Sequence, residues 1–150
     1  KAPEIADQAV AFLREGTYDY GLSNFANTDM VGHTGDMKAA IKAAETVDRA
    51  VENICSELAR IGGLAIIGAD HGNADEMIVF NKKTGKEEIS TKHSLNPVPY
   101  IVFDSEYRGD YKLKTRTEEQ VLNLSMIAAT NFILMGRDVP DDINESLFDV

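Results

Sequence analysis

The chain has 150 residues, and its 25 acidic side chains against 15 basic ones give a formal net charge of -10. That balance disfavours nucleic acid or an anionic membrane surface as a partner. A content of 43% hydrophobic and 27% charged residues argues for one folded domain, or a piece of a larger one, rather than a disordered segment.

Pro3 in a first turn and Gly16 past the end predict a helix over residues 3–15. The aromatic and leucine side chains of Tyr18–Asn24 predict a short strand, and Phe25–Gly35 a loop. From about Asp36 to Arg60 a long helix is expected. Ile41, Ala44, Val47, Val51, Ile54, Leu58 and Ile61 recur at steps of three and four as one apolar stripe. Lys38, Lys42, Glu45, Asp48, Arg49, Glu52 and Glu57 are read as its solvated side. Cys55, on the apolar face, is read as a buried thiol; as the sole cysteine it excludes an internal disulfide and suits a reducing compartment. Gly62-Gly63 stops the helix, and the apolar run Leu64–Gly68 predicts a strand buried on both faces of a parallel sheet.

Met77–Phe80 and Glu87–Thr91 predict a hairpin with Gly85 in its turn. Pro97 and Pro99 feed a strand over Pro99–Phe103, Val121–Met135 is expected as a last helix, and the VPDDINESLFDV tail has no assignment. This order predicts an α/β three-layer sandwich with a mostly parallel central sheet. Ligands in such sheets gather beyond the C-terminal strand edges. No apolar run approaches the ~20 residues that span a bilayer, and no signal peptide opens the chain, so a cytoplasmic setting without membrane partners is expected. The start at Lys1 rather than methionine suggests a natural polypeptide that begins further upstream.

The three histidines fall in short polar segments: Asp29 and His33 in NTDMVGHTG, Asp70 and His71 in ADHGN, His93 in TKHSLNP. Asp29 and His33 are four apart, which in a helical turn places both on one face. Asp70 and His71 follow the apolar strand, where an aspartate is costly without a cation or donors. Together these five predict a metal site built from three loops, with oxygen and nitrogen ligands that suit Mn²⁺, Zn²⁺ or Mg²⁺. Two cations would also supply the positive potential that an acidic chain lacks for an anionic substrate. Neither G-x-S-x-G nor a P-loop is present, and no serine stands in a nucleophile context.

NFANTDMVGHTG, AAIKAAETVD, ADHGNADEM and KHSLNPVPYIV together resemble the C-terminal segment of the cofactor-independent (2,3-bisphosphoglycerate-independent) phosphoglycerate mutases of the alkaline phosphatase superfamily. The resemblance runs from the first strand to the Pro97–Phe103 segment. It implies that residues 1–150 are the C-terminal part of a phosphatase-like domain. The N-terminal part and an inserted phosphotransferase domain would lie elsewhere in a longer chain, leaving the sheet incomplete here. It implies one cation on Asp29, His33 and His93. A second would sit on Asp70 and His71 with an aspartate and the nucleophilic serine of the upstream segment.

The implied reaction interconverts 3-phosphoglycerate and 2-phosphoglycerate through a phosphoserine. It would use two divalent ions, manganese ahead of magnesium, cobalt or zinc, and no 2,3-bisphosphoglycerate. This chain alone, without the serine and the substrate clamp, is expected to be inactive. A hairpin longer than in some bacterial relatives and a plant-like C-terminal end depart from the pattern without touching a ligand. The alternatives are a phosphopentomutase, phosphatase or sulfatase of the same superfamily, or a non-catalytic metal-binding domain.

Overall fold

A computed structural model describes residues 1–90, 92–117 and 121–149. The chain divides into two compact units, Lys1–Glu106 and Tyr107–Val150.

In the first unit, α1 spans Ala2–Glu15 and α3 spans Met37–Ile61. Asp36 caps α3 by accepting the Ala39 N–H at 3.0 Å, satisfying one of the donors a helix start leaves open. Gly62 ends it in the left-handed region at φ 71°, a conformation that glycine adopts without a Cβ clash. The two helices meet on small side chains: Ala2, Ala6 and Ala50 are buried together, with Phe25 and Ile54 packed against them.

The buried side of α3 only partly follows the expected stripe. Leu58 of the stripe is buried, but Ala40, Ala43 and Ala50 outside it are buried too, while Ile41 and Ile61 from the stripe are 53% and 44% exposed. Glu57 is a correction in the opposite direction. It is buried rather than solvated, because Arg14 of α1 donates to its Oε2 at 3.0 Å and Arg60 to its Oε1 at 2.5 Å. Cys55 is only partly buried, one position away from the packed face.

β1 (Leu64–Gly68) keeps its predicted bounds. β2 (Ile78–Asn81) and β3 (Lys86–Ile89) form the expected antiparallel hairpin in register Ile78↔Ile89 to Asn81↔Lys86; Thr91, placed in this hairpin by sequence, lies outside the described residues. β4 (Tyr100–Asp104) pairs with β1 antiparallel, from Leu64↔Asp104 to Gly68↔Tyr100. The α/β class therefore holds, and this one pair runs antiparallel in a sheet expected to be mostly parallel. Between β1 and β4 the described residues hold a hairpin and loops rather than a crossover helix, and an antiparallel partner needs no crossover.

With one neighbour among the described residues, β1 is half-buried rather than buried on both faces, and Ile101 of β4 is 51% exposed. Ala44, Val47 and Val51 of α3 face Ile67 and Ile101 across an open groove of about 310 Å³. Tyr18–Asn24, predicted as a strand, carries no ladder among the described residues and is largely solvent-exposed.

The second unit contains α4 (Ile127–Leu134), preceded by a 3-10 turn over Leu124–Met126. Helical structure starts three residues later than Val121, because the Asn123 side chain accepts the Ser125 N–H at 3.1 Å and sets the boundary there. The C-terminal tail is anchored by a Leu113↔Phe148 bridge and by Thr130, whose buried hydroxyl accepts the Leu147 N–H at 2.9 Å. Among the described residues no helix is long and apolar enough to cross a membrane.

Candidate metal centre

The predicted loop at Phe25–Gly35 contains a short helix, α2 (Asn27–Gly32), with His33 as its C-cap. The His33 N–H donates to the Asp29 carbonyl at 3.3 Å. One turn therefore stacks the two side chains, as the four-residue spacing requires. Asp70 and His71 follow β1 directly. His93 arrives on the segment after β3, which is tied down when the Ser94 N–H donates to the Gly72 carbonyl at 2.8 Å.

The three segments converge on one oxygen. Asp29 Oδ1 has His93 Nε2 at 3.2 Å, His33 Nε2 at 3.3 Å and His71 Nε2 at 4.0 Å. One ligand atom each from Asp29, His33 and His93 lies within 4.8 Å of the others. The His71 ring stacks on His93 at 3.5 Å between centroids, 9° from parallel. Asp70 completes the group less closely: its Oδ1 is 3.7 Å from His71 Nε2, and its side chain is 83% exposed.

Asp29 Oδ1 is buried and has no hydrogen-bond partner, although imidazole nitrogens surround it at ion-pair distance. A buried carboxylate oxygen without a donor is costly. A divalent cation resolves that cost, and the spacing suits one. Ligands at ~2.0–2.2 Å from a tetrahedral or octahedral ion stand roughly 3.0–3.5 Å from each other, the range of the two short contacts. His71 adds a tautomer argument. Its Nδ1 lies 3.4 Å from the Gly72 carbonyl; donation there would leave the Nε2 lone pair directed inward. The donor set fits a cation.

Four supporting residues were missed by the sequence reading. Asp75 Oδ2 accepts from Ser94 Oγ at 2.7 Å and from Asn96 Nδ2 at 2.6 Å. These hydrogen bonds, Ser94 first, hold the Asp75 carboxyl below the ordinary carboxylate range. The carboxylate clips the segment after His71 to the segment carrying His93. Asn73, buried beside Gly32, reaches the His33 ring. In each case the signal was a place within four residues of a histidine, in ADHGNAD and KHSLN.

Residues 1–138 match the family model described as the metalloenzyme superfamily. The chain belongs to the metalloenzyme superfamily. It is 44% identical over 142 residues to the 2,3-bisphosphoglycerate-independent phosphoglycerate mutase of Clostridioides difficile, covering 95% of this chain and 26% of that protein. A Methanosarcina acetivorans protein of the same description is 50% identical over 142 residues, covering 95% of this chain and 25% of its own length. Among solved structures, Leishmania mexicana phosphoglycerate mutase at low cobalt concentration superposes with a TM-score of 0.88 at 33% identity. That match covers 99% of this chain and 28% of that one. The chain thus spans about a quarter of the length of the curated relatives it matches.

Proposed function

We propose that this chain is the C-terminal, metal-ligand-bearing part of a 2,3-bisphosphoglycerate-independent phosphoglycerate mutase. The whole enzyme would interconvert 3-phosphoglycerate and 2-phosphoglycerate through a phosphoserine. The observation that carries the reading is the buried, unpartnered Asp29 Oδ1 ringed by the Nε2 atoms of His33, His93 and His71. The similarity to phosphoglycerate mutases over nearly the whole chain supports it.

Asp29, His33 and His93 would hold one divalent cation, and Asp70 and His71 would contribute to a second. The remaining ligands, the nucleophilic serine and the substrate-gripping side chains would come from an N-terminal segment of the same polypeptide. The half-buried β1–β4 pair and the open groove beside α3 suit a sheet that continues into such a segment. When bound, the cations lower the serine hydroxyl's pKa and offset charge on the transferred phosphoryl group.

This chain's own residues orient the site. Asp29 supplies the anionic ligand, while His33, His71 and His93 supply neutral nitrogens at positions fixed by α2, the β1 end and the Asp75 clip. Oxygen and nitrogen ligation without thiolate suits manganese, with magnesium, cobalt or zinc as substitutes; cobalt accompanies the Leishmania mexicana structure. The reading carries a cytoplasmic setting, which the lone Cys55 suits.

The test is turnover of 3-phosphoglycerate by the intact polypeptide that carries this chain, without added 2,3-bisphosphoglycerate. Activity abolished by chelation and restored by Mn²⁺ is expected, with no turnover from residues 1–150 alone. Hydrolysis of phosphate esters without mutase activity would favour a phosphatase of the same superfamily instead.

A further inference from the structure

We propose that Asp75 is the positioning residue of His93. By accepting two hydrogen bonds on one carboxylate oxygen it fixes the backbone that carries this ring, and so sets how tightly the Asp29–His33–His93 half holds a cation. The inference rests on the cation-centre reading above and concerns a residue outside the ligand set.

The three histidines differ in what holds them. His33 caps α2 one turn from Asp29. His71 has the Gly72 carbonyl 3.4 Å from its Nδ1. His93 lies on a segment that is neither helix nor strand, and its ring is about half exposed. Among the described residues that ring meets Asp29 Oδ1 at 3.2 Å and the two neighbouring imidazoles, with no hydrogen bond that orients it from behind. Its placement is therefore set by the main chain beside it.

Ser94, the next residue, is where that main chain is pinned. Its N–H donates to the Gly72 carbonyl at 2.8 Å, the same carbonyl that faces His71 Nδ1. One backbone oxygen gives both segments a common reference, but a single bridge leaves the later segment free to pivot about it. Asp75 removes that freedom. Its Oδ2 accepts from Ser94 Oγ at 2.7 Å and from Asn96 Nδ2 at 2.6 Å. The Ser94 hydroxyl in turn accepts the Asn96 N–H at 3.4 Å, which closes a small ring of bonds around Leu95. Hydrogen bonds to an ionised acceptor are about twice as strong as neutral ones, and Ser94 is buried, which limits water as a substitute.

Gly72 lets the carboxylate close on the bridge. A Cβ built there would lie 2.2 Å from Ser94 Oγ and 2.7 Å from Asp75 Oδ1. The clip thus occupies the space in which any other residue at this position would begin its side chain. With both segments locked, the His71 and His93 rings stack 9° from parallel and His93 Nε2 faces Asp29. Asp75 stands outside the ligand group; what it supplies is order in one ligand before a cation arrives.

The test is Mn²⁺ titration calorimetry on the intact polypeptide, with free Mn²⁺ counted by electron paramagnetic resonance where binding is weak. Metal-free melting of each variant is followed by circular dichroism. The unmodified protein is compared with Asp75→Ala, Asp75→Asn, His93→Ala and the Asp75→Ala/His93→Ala pair. Asp75→Ala should weaken the tighter event about tenfold, the lower end of the range for supporting partners of metal ligands. An asparagine can present the one oxygen that both donors reach, so Asp75→Asn should bind within a few-fold of the unmodified protein. In the His93→Ala background the Asp75→Ala change should be silent, because a residue that acts through His93 has nothing left to place.

Unchanged affinity in Asp75→Ala overturns the proposal, and so does a tenfold loss that persists without His93. Equal losses in Asp75→Ala and Asp75→Asn overturn the role of the shared acceptor oxygen. If Asp75→Ala loses its melting transition, the Ser94→Ala/Asn96→Ala pair removes both donors and leaves the carboxylate in place. A tenfold loss there sustains the proposal, and unchanged affinity overturns it. An unmodified protein that fails to bind Mn²⁺, or a His93→Ala variant that binds as well as it does, instead removes the cation-centre reading underneath.

Discussion

The two halves of the loop cluster differ in how much of a site this chain supplies. At Asp29 it brings a carboxylate and two imidazoles from α2 and the segment after β3, with both Nε2 atoms at 3.2–3.3 Å from a buried oxygen. At the end of β1 it brings only Asp70 and His71, 3.7 Å apart, with the carboxylate 83% exposed. The first half is closed by local chain geometry, because a helical turn delivers two candidate ligands at once. The second is open toward solvent. Cation affinity grows with the number of ligands held in place, so the two halves should separate in a titration.

The strongest way to break that comparison is to remove one carboxylate at a time. Asp29→Ala should weaken Mn²⁺ binding by more than the ~10–100-fold typical of lost supporting contacts. Asp70→Ala should leave the tighter binding event within a few-fold and remove only a weaker one. Calorimetry on the intact protein reads both, and equal losses would show that the halves act as one centre.

A second substitution sharpens the contrast through packing. Gly32→Ala would set a methyl group 1.7 Å from Asn73 Oδ1, and overpacking of this kind costs ~1–3 kcal/mol. Urea denaturation should register that loss, and the tighter Mn²⁺ event should weaken with it. The atoms nearest this Cβ position belong to Asn73 and Ala74 rather than to Asp70 or His71, so binding at that half should change less. A stable Gly32→Ala protein with unchanged titration would mean that α2 and the Asn73 segment slide freely past each other.

Away from the loops, the α1–α3 pair offers a control region that should respond to acid rather than to metal. Hydrogen bonds from Arg60 and then Arg14 lower the Glu57 pKa to about 2 from an ordinary value of 4.5. A depressed carboxylate stabilises the fold fully above its unfolded pKa, and that contribution is lost as pH falls through the folded value. The urea midpoint of the unmodified protein should therefore exceed that of Glu57→Gln at neutral pH. The gap should close between about pH 4.5 and 2. A gap that persists below pH 2 would assign the difference to shape rather than charge.

The sequence carried the segments that converge in the candidate centre and missed much of what holds them. Asp29 and His33 were legible because a four-residue spacing has one meaning in a helical turn, and α3 was legible from its caps, Asp36 and Gly62. The burial of its alanines was not, since Ala50 buries against Ala2 and Ala6 of α1 while Ile41 and Ile61 stay exposed, and nothing local says which face meets a partner. Glu57 read as a surface charge because its two arginines arrive from 43 residues upstream and from one helical turn downstream. The antiparallel direction of the β1–β4 pair was not legible because Leu64–Gly68 is apolar throughout. Such a run announces burial but not which neighbour supplies it. Asn73, Asp75, Ser94 and Asn96 stood within the motifs, but their roles depend on contacts across segments.

The smallest expected effect tests whether the Asp75 clip serves the His93 side of the site. Ser94→Ala removes the hydroxyl that donates to Asp75 Oδ2 at 2.7 Å and keeps the backbone bond from Ser94 N–H to the Gly72 carbonyl. A single hydrogen bond of this type contributes about 0.5–1.5 kcal/mol, and the retained bridge limits any displacement of His93. Because Asp75 is held below the ordinary carboxylate range, the clip's contribution should be present at neutral pH and fade as pH falls through the folded value. Ser94→Ala should therefore lower the urea midpoint slightly at pH 7 and weaken Mn²⁺ binding no more than a few-fold. The two proteins should converge in acid. A loss of binding as large as that of Asp29→Ala would mean that Ser94 fixes His93 directly, and that the closed half of the centre depends on a loop contact rather than on the α2 turn.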